Sequence, residues 1–284
     1  MCNGIDDKGS VLNYVFYKVD DMKFRWPLIF ICFAVLESCS HVYTPALYHH
    51  DIAYQPKPSS FDTAKTASYI SGGYFASTNV NLNDFEEAGE VNFSRGYIFK
   101  HLNLAFGTFG MLGDYENSAI SPDQPNYFNT KFFGAVGGRV SANLYSNSES
   151  ERSEYRYLGI EAAYSHEFGN YAMFRQSIVN KPGYYVDPRT DLFTAGLTTE
   201  ILVRSQSKVI QQSFRLFFGT TFGYNSLYDS YYNNKDVSTN TFPQLLNLGF
   251  IDIYPKASYY IKFKNYFGTA EIGGGIFVRF GRIF

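Results

Sequence analysis

Apolar and polar residues alternate with period two over most of the chain from about Thr66 to Phe284. In the stretch 210–224 the even positions are Ile210, Gln212, Phe214, Leu216, Phe218, Thr220, Phe222 and Tyr224; the odd positions are Gln211, Ser213, Arg215, Phe217, Gly219, Thr221 and Gly223. Successive side chains of a strand point to opposite faces, so this alternation predicts strands with one apolar face and one small or polar face. The pattern recurs where Leu102, Leu104 and Phe106 oppose Asn103, Ala105 and Gly107, and where Leu158, Ile160 and Tyr164 oppose Gly159, Glu161 and Ser165. It predicts strands at 67–80, 88–99, 101–113, 130–146, 154–167, 171–180, 191–204, 208–224, 250–263 and 266–284, with the weakest alternation at 171–180. Ten is an even number, as in single-chain bacterial membrane barrels; eight or twelve strands fit the same pattern. Gly273-Gly274-Gly275 reads as room for a bulge inside the last strand, since no helix follows to make it a phosphate loop.

Period two alone does not say which face looks inward. The polar face is built from Gly, Ala, Ser and Thr with an occasional charge, whereas the wet side of a soluble sheet is rich in Lys, Glu and Thr. Small residues suit the inside of a narrow barrel, where large side chains from opposite walls collide. The expected architecture is all-β: an antiparallel transmembrane barrel over 67–284 whose apolar face meets lipid and whose Tyr and Phe form interfacial girdles. A soluble, surface-tethered β-sandwich that binds a ligand is the other architecture the period allows.

The first 66 residues read differently. Met22, Lys23 and Arg25 precede the apolar run Trp26–Leu36, which is too short to span a bilayer and has the anatomy of a secretory signal starting at Met22. Residues 40–66, with Pro45, Pro56 and Pro58 and no sustained period, read as an extended tether. The sequence Leu36-Glu37-Ser38-Cys39 resembles the lipobox of bacterial lipoproteins, which implies lipid on Cys39 and an upstream segment and signal peptide at 1–39. The final strand, with Ile276, Val278, Phe280 and the C-terminal Phe284, resembles the assembly signal of outer-membrane β-barrels. Together the two ends resemble lipid-modified outer-membrane barrel proteins of Gram-negative bacteria. That resemblance implies the bacterial outer membrane as location, with outer-membrane lipid and the barrel-assembly machinery as partners.

Composition narrows the functions. Twenty-four Lys and Arg against 26 Asp and Glu give a formal charge of −2, which offers no basic field for nucleic acid. The expected lumen charges are Arg139, Glu161, Glu200, Arg215, Lys262, Glu271 and Arg279, and charges of both signs in a desolvated interior are expected to pair. No cofactor is expected. His49-His50-Asp51 lacks a third ligand at metal spacing, and His166-Glu167 is the one pair that invites a hydrolase reading, without any nucleophile motif nearby. The Tyr-, Asn- and Asp-rich loops 114–129 and 225–249 suit contacts with an envelope protein partner. The expectation is a non-enzymatic barrel lipoprotein, structural or accessory to an envelope assembly, with a narrow solute pore as the alternative.

Overall fold

The computed structural model describes residues 41–78, 84–117, 127–148, 152–179, 181, 184–207, 209–222 and 253–284. A short strand β1 (His41–Tyr43) precedes β2 (Thr66–Thr78), β3 (Asp84–Ile98), β4 (Leu102–Asn117), β5 (Thr130–Asn147) and β6 (Ser153–Phe168). Helix α1 (Asn170–Ile178) and β7 (Tyr184–Val186) follow, then β8 (Asp191–Arg204), β9 (Ile210–Thr221), β10 (Tyr254–Phe263), β11 (Tyr266–Ile272) and β12 (Gly275–Ile283).

Among the described residues ten strands form one closed barrel, each paired antiparallel with its neighbours, and β12 zips onto β2 from Gly275↔Ser77 to Ile283↔Tyr69. This closure rules out the two-sheet sandwich, because neither end strand is left as an edge. The outer wall carries the apolar residues: Val91, Val136, Ile160, Leu197 and Ile276 are all more than half exposed. Exposed aromatics mark both rims, with Phe85, Phe132, Phe168 and Phe222 at one end and Phe99, Tyr155, Tyr266 and Phe284 at the other. An apolar band between aromatic girdles on a closed sheet matches a lipid-facing wall.

The strand count agrees with expectation for reasons that differ at two places. Residues 171–180, expected as a strand, begin inside α1, whose buried Tyr171, Arg175 and Ile178 follow helical spacing. The expected single strand 266–284 is two, β11 and β12, joined at Gly273 and Gly274, whose φ values of 153° and 71° allow the chain to reverse between the paired Ile272 and Ile276. The three glycines therefore make a hairpin turn and the first residue of β12, in place of a bulge. A bulge does occur between Arg156 and Gly159 on β6, where Tyr157 and Leu158 both face outward.

The connections 99–101, 148–152, 205–209 and 264–265 gather at one end of the barrel, hereafter the short-turn end. Asn117, Thr130, Phe168, Asp191, Thr221 and Tyr254 end their strands at the opposite end, hereafter the long-loop end, where α1 and β7 lie between β6 and β8.

Candidate functional site: the occupied lumen

The segment expected as an external tether is inside the barrel. Tyr43, Ala46, Leu47, Asp51, Ile52, Ala53, Tyr54 and Ser59 are each at most 1 % exposed. At the long-loop end Tyr43 accepts a hydrogen bond from Asn117 Nδ2 at 2.9 Å, and Tyr171 Oη donates to the Thr44 carbonyl at 2.9 Å. Midway, Tyr54 lies against Tyr69, Tyr260 and Phe267, contributed by three different strands. Near the short-turn end Pro58 passes so close to β3 that a Cβ on Gly96 would stand 2.6 Å from its Cδ, so this wall position has no room for a side chain.

An extended chain with no neighbouring strand leaves its peptide groups without ladder partners, and burial makes each unpaired group costly. Residues 52–59 belong to no ladder, and the wall charges take its place. Wall cations donate to carbonyls of the segment: Arg139 Nε to Asp51 at 2.6 Å, Lys256 Nζ to Ile52 at 2.7 Å, Arg279 to Tyr54 at 2.9 Å and Arg156 to Pro58 at 3.3 Å. Wall carboxylates accept from its amides: Glu167 from Ala46 at 2.8 Å, Glu271 from Tyr54 at 3.0 Å and Glu154 from Ser60 at 2.5 Å. The charges also hold one another. Arg215 bonds Glu161 and sits 3.4 Å from Glu271, which binds Arg279; Arg156 lies 2.7 Å from both Glu154 and Glu200. Arg139 pairs with Glu90 at 2.7 Å.

All seven charges expected in the lumen are on inward-facing strand positions; Arg215, Glu161, Glu271 and Arg279 pair among themselves, whereas Arg139, Glu200 and Lys262 pair with Glu90, Arg156 and Asp62, which the sequence reading missed. Lys256 shares strand parity with Lys262, already read as inward, and Glu90 shares it with Asn92 and Ser94, so the signal was present in the sequence. Glu154 and Arg156 have the opposite parity to Glu161, and the bulge at Tyr157-Leu158 turns both pairs inward. The residues resembling an assembly signal, Ile276, Val278 and Phe280, face outward on β12, and the Phe284 backbone exchanges hydrogen bonds with Ser68 at 2.9 and 3.2 Å. His166 projects outward with Nδ1 2.9 Å from Asp191 Oδ1, and among the described residues no serine bonds to its ring. His50 Nε2 stands 3.2 Å from Ser77 Oγ, and no three metal-ligating residues cluster among the described residues. Cys39, the loop 225–249 and residues 118–126 of the loop 114–129 lie outside the described residues; Asp114–Asn117 end β4, and Phe128 is buried against Phe174.

Asp62 fastens the segment where it leaves the lumen. It accepts from the Ser59 amide at 2.8 Å, from Gln211 at 2.9 Å and from Lys262 at 2.8 Å. Burial, the largest single influence, pushes its carboxyl up, but the Lys262 ammonium and the hydrogen bonds together outweigh it and hold the carboxyl below its ordinary value. A lowered folded-state value adds stability that is complete above the ordinary aspartate value of about 3.9 and fades as pH falls through the folded one. Asp62→Asn is therefore expected to lower the thermal midpoint of the folded-barrel gel band by a constant amount at neutral pH, with the gap closing below about pH 3.9. A gap that stayed unchanged in acid would show that Asp62 does not work through its charge.

A closed, even-stranded antiparallel barrel with an apolar outer wall and a polar, charged interior defines a transmembrane β-barrel of the outer-membrane type. No protein-family model matches the sequence, and no curated protein does. Among solved structures, the chain is similar to an outer-membrane channel from Pseudomonas putida F1, at 8 % identity and TM-score 0.37, over 81 % of this chain and 100 % of that one. It is also similar to the transport unit of the autotransporter AIDA-I from Escherichia coli, at 8 % identity and TM-score 0.35, over 81 % and 92 %. The translocator domain of the autotransporter NalP from Neisseria meningitidis gives 6 % identity and TM-score 0.31, over 79 % and 90 %.

Proposed function

We propose that this chain is a lipoprotein of the bacterial outer membrane whose barrel serves as a structural or accessory subunit of an envelope assembly. The observation that carries this reading is the occupied lumen: residues 43–62 fill the barrel and are held by charged side chains from five strands, β5, β6, β10, β11 and β12. A barrel so filled offers its rims and its lipid-facing wall for contact, in place of a conduit. Barrel-assembly machinery and membrane lipid are the partners implied by the C-terminal strand and Cys39, and the long-loop end is the surface for a protein partner. A narrow solute pore is the second reading, favoured by the polar lining, and it requires the segment to leave.

The test is metabolic labelling with an alkynyl fatty acid followed by gentle solubilisation of native membranes. The expected result is a label present in the parent chain and lost in Cys39→Ala, with the parent migrating in a complex larger than the 32.3 kDa chain. An unlabelled protein that migrates as a monomer would overturn the proposal.

A further inference from the structure

The segment in the lumen has a direction as well as a place. Asp62, bonded to Lys262 and Gln211, marks the short-turn end, and four residues later the chain enters β2 at Thr66. Tyr43 marks the long-loop end, bonded to Asn117 at the end of β4. There β1 pairs in parallel with β7, His41 with Tyr184 and Tyr43 with Val186, within the connection from β6 to β8. Asp187 N donates to the Tyr43 carbonyl at 2.9 Å and extends that anchorage. The chain thus crosses the lumen once between Tyr43 and Asp62, with His41 at the long-loop mouth.

In outer-membrane barrels the short turns lie on the periplasmic side and the longer loops outside the cell. We propose that the polypeptide ahead of His41 is displayed on the cell surface, delivered there through the chain's own barrel. This deepens, and rests on, the lipoprotein reading at one point: the leaflet that holds the lipid. Cys39 stands two residues before His41, and two residues span at most about 7 Å. The apolar band of an outer-membrane barrel is about 25 Å tall. Two residues therefore cannot carry Cys39 back across the membrane, and acyl chains on it enter the outer leaflet. A tether outside the barrel would have placed the lipid in the inner leaflet, next to the start of β2.

The geometry of the threaded segment makes this arrangement hard to reverse. Its carbonyls and amides are bonded along its length by Arg139, Lys256, Arg279, Glu271 and Glu154, and withdrawal would leave those buried charges facing a void.

The experiment uses the full chain with a short epitope inserted between Ser40 and His41, and a second version with the epitope in the 264–265 turn. Each must retain its heat-modifiable band, which reports the folded barrel. Antibody is then applied to intact and to permeabilised cells. The expected result is equal staining of intact and permeabilised cells for the epitope at 40/41, and staining only after permeabilisation for the epitope at 264/265. Staining of the 40/41 epitope only after permeabilisation, with the band intact, overturns the proposal. So does surface staining of the 264/265 epitope, which would invert the barrel. Fatty-acid labelling of the same cells separates the two claims: surface staining without label removes the lipid and leaves the threading, and label without surface staining does the reverse.

Discussion

Glu271→Ala is expected to cost the folded barrel about 3–5 kcal/mol, the range for removing one partner of a buried ion pair. Glu271 on β11 accepts from the Tyr54 amide at 3.0 Å and from Ser258 at 2.9 Å, lies 3.4 Å from Arg215 and binds Arg279 directly. Arg215 would keep Glu161, but Arg279 would keep the Tyr54 carbonyl and no directly bonded carboxylate among the described residues. The change therefore strands one buried guanidinium and one buried amide together, and both losses fall at the middle of the threaded segment. The reading is the temperature or urea concentration at which the compact gel band converts to the unfolded one. Glu271→Gln, which keeps an acceptor for the Tyr54 amide, is expected to fall between parent and alanine variant. Replacing Glu271 and Arg279 together with leucine is expected to recover part of the loss, since it removes the stranded charge. An alanine variant as stable as the parent would mean that water reaches this site and the lumen is not dry.

The barrel wall was legible because each of its strands has lipid on one side and a crowded interior on the other, so burial imprints period two on the sequence. Ile210–Thr221 shows this, with Phe214 and Phe218 outward and Ser213, Arg215 and Phe217 inward. What escaped had a different physical cause in each case. Alternation at 171–180 is poor because Tyr171, Arg175 and Ile178 pack on a helical stripe, with the Tyr171 ring stacked 3.9 Å from Tyr115. The turn at Gly273-Gly274 was hidden because alternation runs through it: Ile272 pairs with Ile276 across three residues, and that odd number keeps the outward positions even-numbered on both sides of the reversal.

The largest miss was the segment 43–62. A chain surrounded by wall on every side has no wet face and therefore no period, so burial in the lumen and solvation in a linker leave the same lack of pattern. Composition held a weaker signal. Asp51, Tyr54 and Lys57 interleaved with Ile52 and Ala53 are apolar and charged at once, as expected where apolar packing and a charged wall must be met together. The charges themselves were visible from parity, but their second task was not. Period two shows that Arg139 and Glu271 face inward; only the fold shows that each bonds to a threaded backbone as well as to a charge on the wall.

The same dependence predicts a gain of conductance. The parent protein in a planar lipid bilayer is expected to be silent, because residues 43–62 fill the lumen and a cavity beside Tyr54, Arg139 and Arg279 has a volume of only about 10 Å³, room for about one water. Replacing residues 46–58 with the same number of Gly and Ser residues keeps the tie to β2 and removes the side chains that fill the lumen. Arg139, Glu161, Glu200, Arg215, Lys256, Glu271 and Arg279 would then line a space with no polypeptide to bond. Buried charges without partners draw in water, since solvation replaces what the segment supplied. The variant is expected to show discrete conductance steps that fall as added salt is lowered, provided its heat-modifiable band is present. Tyr54→Ala, which removes one aromatic ring from the middle of the path, is expected to give brief, smaller openings. A folded replacement variant that stayed silent would show that the inward aromatics Phe75, Phe217, Tyr260 and Phe277 close the lumen without the segment. Steps from the parent protein itself would favour the pore reading over the structural one, with residues 43–62 as a part that moves.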